Sequence, residues 1–388
     1  MSTRGPVNVA VVGLGFGEHF LPIYQAHPDV GEIAIVDPSV ERLTEVGERF
    51  GIGHRFERFE DMLSDDQWDA VHVLAPVGFH AGYSVSAMNA GKHCACAVPM
   101  ATELDQIDAI VDAQRRTGLV YTMMETTVFS AEYRAIERLY HTGSLGSLSM
   151  YQGFHIQNLD GFPAYWLGYP PMKYATHALS PILHLTGSTV SDVVAYGSGR
   201  LTPERIGGHD NAFPSEVALC RLSNSDIVAD ITVSFFQTAR PFREGYSFHG
   251  DRMAVEWPQD ERDRPTVFTL LERGDAAGVI PRGGITASAP LELDFGHELL
   301  PDPLRRFTAD FDVVPAGGGD PLHFTADHGG SHPHLVHQFI TAITESRSPE
   351  IDAIRAAQWT APGIAAHESA ARGGEKLSVP RYGSQGTS

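Results

Sequence analysis

Residues Val7 to Gly17 read Val-Asn-Val-Ala-Val-Val-Gly-Leu-Gly-Phe-Gly. Four apolar residues, Val9 to Val12, run straight into glycines. A short unbroken apolar run punctuated by Gly is the pattern of a strand buried on both faces, as in a parallel sheet. Gly13 permits the tight turn out of the strand. Gly15 lets the backbone approach a pyrophosphate held at the positive end of the following helix. The G-x-G-x-x-G pattern wants its third glycine at position 18, where Glu18 stands, and Gly17 precedes it. A second apolar run, Ile33 to Val36, ends in Asp37, 24 residues after Gly13. A carboxylate there accepts both ribose hydroxyls of an adenosine and repels a 2′-phosphate. Together these features predict a dinucleotide site that takes NAD. Arg42, close by, is the residue that speaks for NADP.

Bulk properties narrow the class. A chain of 388 residues exceeds one ordinary core and predicts two domains. Hydrophobic content of 42% suits a globular protein, and no apolar run reaches the length of a membrane span. The polar lead before the first strand carries no apolar signal region, so a cytoplasmic location is expected. The net charge of −20 argues against nucleic acid and anionic membranes as partners, since both need basic patches. Cys94, Cys96 and Cys220 read as reduced core residues.

The first 125 residues alternate strands and helices. Strands are expected at 33–36, 54–56, 70–74, 92–98 and 120–124, with helices at 18–26, 40–50, 80–90 and 103–117. Pro22 should delay or bend the first helix. This alternation means a doubly wound parallel sheet, the Rossmann arrangement. After residue 145 the pattern changes to apolar–polar alternation over 148–152, 193–196, 217–222, 227–236, 246–249, 253–257 and 266–271. That predicts a large, mostly antiparallel open sheet with a helical insert at 174–185. Residues 275–325 are Gly/Pro-rich and read as irregular. Helices are expected at 331–345 and 354–371. The fold class is therefore α/β: an NAD-binding domain over 1–125 and an α+β substrate domain over 126–388. One face of the open sheet is free for self-association, so a homodimer or homotetramer is expected.

The layout resembles the Gfo/Idh/MocA family of NAD(P)-dependent sugar oxidoreductases. The residues that carry the resemblance are the Gly13-Leu-Gly-Phe-Gly17 turn, Asp37, the Ala75-Pro76…His80 loop, Gly91-Lys-His, Pro99 after a strand, and Gly143-Ser-Leu-Gly146. The resemblance implies that a sugar sits between the nicotinamide and the open sheet. Two departures stand out. Where the family has Glu-Lys-Pro, this chain has Ala97-Val98-Pro99, so the family's lysine is absent. Where the family often has Asp-x-Gly-x-His, this chain has Lys173-Tyr-Ala-Thr-His177. Met123-Met-Glu125 and Tyr174-Ala-Thr-His177 are similar to the family's NAD-dependent glycosidases, among them the α-N-acetylgalactosaminidases. NAD-dependent sulfoquinovosidases are a further relative.

The branch likeness implies a cycle in which transient oxidation at sugar C3 acidifies the C2 proton. The C1 substituent is then eliminated, water adds back, and the hydride returns. Such a cycle needs proton carriers within hydrogen-bond reach of the sugar. His177 titrates near neutral pH, and Tyr174 lies three residues before it, so both are candidate catalytic groups. Lys173 is one of only three lysines. It could replace the missing lysine as a proton carrier or bind an anionic group such as a sulfonate or carboxylate. Arg240 and Arg243 could add to an anion pocket, and Trp166 could stack on a sugar face. Gly13, Gly15, Phe16, Gly17, Asp37, Ala75, Pro76, His80, Pro99 and Glu125 lie on the turn or at strand ends where a dinucleotide binds. The run His328-Gly-Gly-Ser-His332-Pro-His334 lacks the ordered spacing of a zinc site, so no metal is expected. Its helix start could approach the substrate through His332. Three readings follow: a redox-neutral glycosidase acting on a sugar glycoside, an anionic one such as a sulfoquinovoside included; a net sugar dehydrogenase or ketoreductase; and a non-catalytic NAD-binding regulator.

Overall fold

The computed structural model describes residues 5–260, 262–281, 283–314 and 321–383. The described chain divides into two compact units. One takes in residues up to Ser130, Phe295–Ala357 and residues from Tyr382; the other takes in Ala131–Asp294 and Gln358–Arg381. A single cut after residue 125 was expected, whereas the chain crosses between the units four times. The apolar runs of the first 125 residues announce one unit, but nothing in local pattern marks the later return of residues 295–357.

In the first unit, β1 (Val7–Val12), β2 (Val30–Val36), β3 (His54–Phe56), β4 (Ala70–Val73), β5 (His93–Cys96) and β6 (Tyr121–Met123) form a parallel sheet in the order β3-β2-β1-β4-β5-β6. Val9, Ala10 and Val11 are fully buried, as a strand covered on both faces requires. The order reverses at β1, and ligands bind at such a switch point beyond the carboxyl ends of the strands. The connecting helices are α1 (Leu21–Ala26), α2 (Val40–Phe50), α3 (His80–Asn89) and α4 (Leu104–Thr117). Ser39 caps α2 by accepting the Arg42 N–H, and Gly51 closes it in the left-handed conformation. A 3₁₀ turn, Glu18–Phe20, precedes α1, which puts Pro22 in the first turn where its missing N–H costs nothing.

In the second unit, α5 (Ala131–His141) leads into β7 (Leu148–Gln157), and α6 (Thr176–Thr186) follows. Seven further strands come next: β8 (Val190–Ser198), β9 (Ser215–Leu222), β10 (Val228–Ser234), β11 (Phe242–Gly250), β12 (Met253–Glu256), β13 (Thr266–Glu272) and β14 (Ile285–Pro290). With Leu377–Ser378 they form a nine-stranded sheet in the order β14-β13-β12-β11-β7-β10-β9-β8 and Leu377–Ser378. β7 and β10 pair in parallel, and the other neighbours are antiparallel. In β9 every second residue is buried, so one face carries the core. Gly153 lets α6 lie against β7: a Cβ there would sit 1.9 Å from the Ala178 carbonyl oxygen. The Tyr151 hydroxyl donates to that same oxygen at 2.6 Å.

The helical insert begins at Thr176 rather than 174, because residues Pro171–Tyr174 form a separate 3₁₀ turn. Residues 275–325 contain more order than expected. β14 pairs along β13, and Phe311–Val313 pairs with Leu322–Phe324. Every side chain of β14 is exposed, so no hydrophobic alternation marks it. The chain then forms α7 (His332–Thr344) and α8 (Ala353–Ala371). No described helix is long and apolar enough to cross a membrane.

Gly13 has a φ of 90°, and a Cβ there would lie 2.7 Å from the Leu74 and Ala75 backbone. Gly13→Ala therefore combines left-handed strain with a backbone clash. The expected loss is about 1–3 kcal/mol or more, read as a drop in thermal midpoint with NAD absent.

Candidate functional site

The cofactor groups belong to the first unit. Asp37, at the end of β2, accepts the Leu14 N–H at 3.0 Å and the Ser39 N–H at 3.0 Å. It thereby ties the glycine turn to the start of α2, and its carboxylate keeps lone pairs for ribose hydroxyls. A Cβ at Gly15 would meet nothing nearer than the Arg42 guanidinium at 3.8 Å, so the turn is open where a pyrophosphate approaches. Gly17 performs the packing task of the third glycine one position early: its Cβ would lie 2.9 Å from the Val11 side chain. Phe16 on the turn is 38% exposed. An open backbone approach together with an acceptor carboxylate fits NAD.

Other residues expected to touch the cofactor have structural partners. The buried His80 ring faces the Pro99 oxygen at 2.8 Å and the Ala75 oxygen at 2.9 Å, so it braces these two loops. Burial pushes His80 below the ordinary histidine value, and the two carbonyl bonds oppose that shift. Pro76 leads directly into the turn Val77–Phe79. Glu125 is fully buried and accepts from the Thr127 N–H at 3.1 Å and hydroxyl at 2.8 Å, which caps the turn Thr127–Phe129. His332, expected near substrate, is buried against Phe20 and Phe16, with ring centroids 4.5 and 5.7 Å away. Burial, with His328, His19 and His72 nearby, holds it well below the ordinary value. Among the described residues, no group of three or more His, Cys, Asp or Glu could hold a metal ion.

The candidate proton carriers belong to the second unit. The Tyr174 ring lies 5.3 Å from His177, 5.7 Å from Trp166 and 5.6 Å from Phe235. Tyr174 sits on the 3₁₀ turn and His177 in the first turn of α6, so the two meet without sharing a helix. Lys173 is half-buried on the same turn. The turn is held from below by Glu216 of β9, which has no solvent exposure. Its carboxylate accepts the Met172 N–H at 2.7 Å and faces His367 Nδ1 at 2.8 Å.

Two residues that the sequence reading missed complete the cluster. His155 of β7 stacks on His177 at 5.4 Å with an interplanar angle of 21°, and its ring lies 5.4 Å from Tyr174. Its Nδ1 is 2.6 Å from the Glu244 carboxylate of β11. The available signal was phase: His155 stands in register with the buried Tyr151 and Gly153, and a polar residue at an inward position needs a partner. Strand phase also corrects Arg243. Glu244 pairs with His155, while Arg243 points to the opposite face, where its guanidinium lies 3.9 Å over the Phe154 ring. Arg240 donates to the Gln259 carbonyl at 2.6 Å.

Residues 7–125 match the model of the Gfo/Idh/MocA oxidoreductase family, its NAD-binding Rossmann fold. Over these residues the chain carries that family's NAD-binding domain. A glycosyl hydrolase family 109 protein of Streptomyces coelicolor is 22% identical over 97% of this chain and 83% of its own length. A 4-carboxy-2-hydroxymuconate-6-semialdehyde dehydrogenase of Sphingobium is 26% identical, but the match spans 47% of this chain and 60% of that relative. Levoglucosan dehydrogenase, solved with NADH and levoglucosan, superposes with a TM-score of 0.74 at 22% identity, covering 97% of this chain and 100% of the other. At that identity the likeness shows the fold. The matched domain is NAD-binding, and this chain binds NAD.

Burial holds His27 and His72 at about 3 and also lowers His80 and His332. These rings are neutral when folded and charge when unfolded. Their contribution to stability is present above the unfolded value of about 6.5 and is lost as pH falls toward 3. Urea unfolding midpoints should accordingly fall between pH 7 and pH 5. Equal midpoints would remove these histidines from the balance.

Proposed function

We propose that this chain is an NAD-dependent glycosidase that leaves its cofactor unchanged after each turnover. The observation that supports it best is the Tyr174–His177 ring pair on a rigidly held turn beside Lys173, in a chain whose full-length relatives include glycosyl hydrolase family 109 proteins. Bound NAD supplies reversible hydride exchange at sugar C3. Tyr174 exchanges the C3 hydroxyl proton, and His177 removes the C2 proton once C3 is a ketone. The C1 substituent then departs, water adds, and the same groups return their protons. Lys173, half-buried on the same turn, supports an anionic sugar such as a sulfoquinovoside as substrate. With Arg243 on the opposite face, Lys173 carries that preference.

A net sugar dehydrogenase is the second reading, favoured by the fold shared with levoglucosan dehydrogenase. One assay separates the two. Protein and NAD are mixed with a panel of aryl glycosides, and aglycone release and NADH are followed together. Many turnovers of aglycone without accumulating NADH support the glycosidase. NADH rising with the glycosidic bond intact supports the dehydrogenase.

His177→Ala is expected to lower turnover by about 10²–10⁴-fold while NAD binding by calorimetry stays unchanged. Wild-type turnover in that variant would remove His177 from the mechanism. Lys173→Ala should impair anionic glycosides more than neutral ones, and equal losses would make Lys173 a proton carrier instead.

The same reading includes a homo-oligomer. Tyr196 and Val217 are paired across β8 and β9 with Leu219 on the same face, and all three are exposed. Light scattering coupled to gel filtration should give a multiple of 42.2 kDa, and a monomer at micromolar concentration would refute it.

A further inference from the structure

Elimination and hydration of a glycoside require three proton transfers: at the C3 hydroxyl, at C2, and at the oxygen that leaves C1. Tyr174 and His177 account for two. We propose that His155, oriented by Glu244, is the acid that protonates the leaving oxygen. This assignment rests on the glycosidase reading.

Three observations carry it. The first is position. The His155 ring centroid is 5.4 Å from those of both Tyr174 and His177, so a sugar that reaches those two rings lies close to it. The second is orientation. The Nδ1 of His155 faces Glu244 Oε2 at 2.6 Å, and its Nε2 faces Gln157 Oε1 at 3.4 Å. A ring so placed can donate from both nitrogens. The long Nε2 contact is the one that a substrate oxygen can replace, while the short one fixes the ring plane. The third is burial. The side chains of His155 and Glu244 are 4% and 12% exposed, amid Phe235 and Phe242. A carboxylate–imidazole pair placed in an aromatic setting is costly unless it is fully paired, and such settings concentrate at functional sites.

The step balances. The C1–O bond breaks as the C2 electron pair forms the C1–C2 double bond. The departing oxygen takes the proton from Nε2, and the ring becomes neutral while still donating Nδ1–H to Glu244. Water then adds at C1. Its oxygen forms the new C1–O bond, and its proton restores Nε2–H. No oxidant or further reactant enters.

The test uses leaving-group dependence, which a merely structural role would not move. Methyl and 4-nitrophenyl glycosides of the sugar cleaved by the wild type are compared, since 4-nitrophenolate departs without protonation and methoxide does not. His155→Phe, which keeps a ring against His177, should lose about 10²–10³-fold in kcat/KM on the methyl glycoside and less than about tenfold on the nitrophenyl glycoside. Glu244→Gln, which keeps an acceptor for Nδ1–H, should show the same bias to a smaller degree. NAD affinity by calorimetry should be unchanged in both. Equal losses on the two glycosides, or none, would overturn the assignment. If His155→Phe fails to fold, Glu244→Gln decides alone. If the wild type releases no aglycone at all, the glycosidase reading itself fails and this assignment with it. That outcome is visible before any variant is made.

Discussion

A fully buried carboxylate costs several kcal/mol unless its oxygens are hydrogen-bonded, and Glu216 meets that condition by holding one turn of chain. One oxygen takes the backbone N–H of Met172 and the other faces His367. Gly363 of α8 approaches the same turn from the carbonyl side, where a Cβ would lie 2.3 Å from the Met172 oxygen. The peptide groups that precede Lys173 and Tyr174 are thus fixed by residues that take no part in the proposed chemistry. A site whose side chains must meet a substrate to within a fraction of an ångström depends on such support. Here it comes from a buried carboxylate whose oxygens meet the turn it holds and His367.

Much of the first sheet was legible because its strands are buried on both faces. An unbroken apolar run as short as Val9 to Val12, closed by glycine, suits a covered parallel strand and little else, and the roles of the Gly13 turn and Asp37 follow directly from it. The misplaced third glycine was less legible. Its task is close packing of the turn on β1 and the strand beside it, and Gly17 does this against Val11 and Leu74. A pattern that counts positions misses a task that depends on which face of the turn meets the sheet.

The second sheet was legible as a class and not as a site. Alternation located seven strands after residue 145, yet the pairing partners stayed hidden, since register is a long-range property. His155 and Glu244 are 89 residues apart and meet only because β7 and β11 are neighbours in one register. The same register separates Arg243 from Glu244, although they are adjacent in sequence. Charge and proximity along the chain suggested an anion pocket that includes Arg243; strand phase turns its side chain to the other face. β14 carried no signal at all, because nothing on it is buried.

Histidine shows most clearly why composition cannot assign chemistry here. The chain has 19 of them. In the first unit, His72 and His332 are buried with few polar partners around them, and desolvation holds them neutral. In the second unit, His155 and His367 are also buried, but each faces a carboxylate. A neutral ring packed on phenylalanine is a core residue that happens to contain nitrogen. A ring aligned by a carboxylate has a fixed plane and a second nitrogen able to exchange a proton, which is what proton transfer needs. Both kinds stand at inward positions of regular elements, so the sequence presents them alike. What separates them is the residue opposite, and that is decided by tertiary pairing. His72 and His332 pack in the first unit, and His155 and His367 each face a carboxylate in the second.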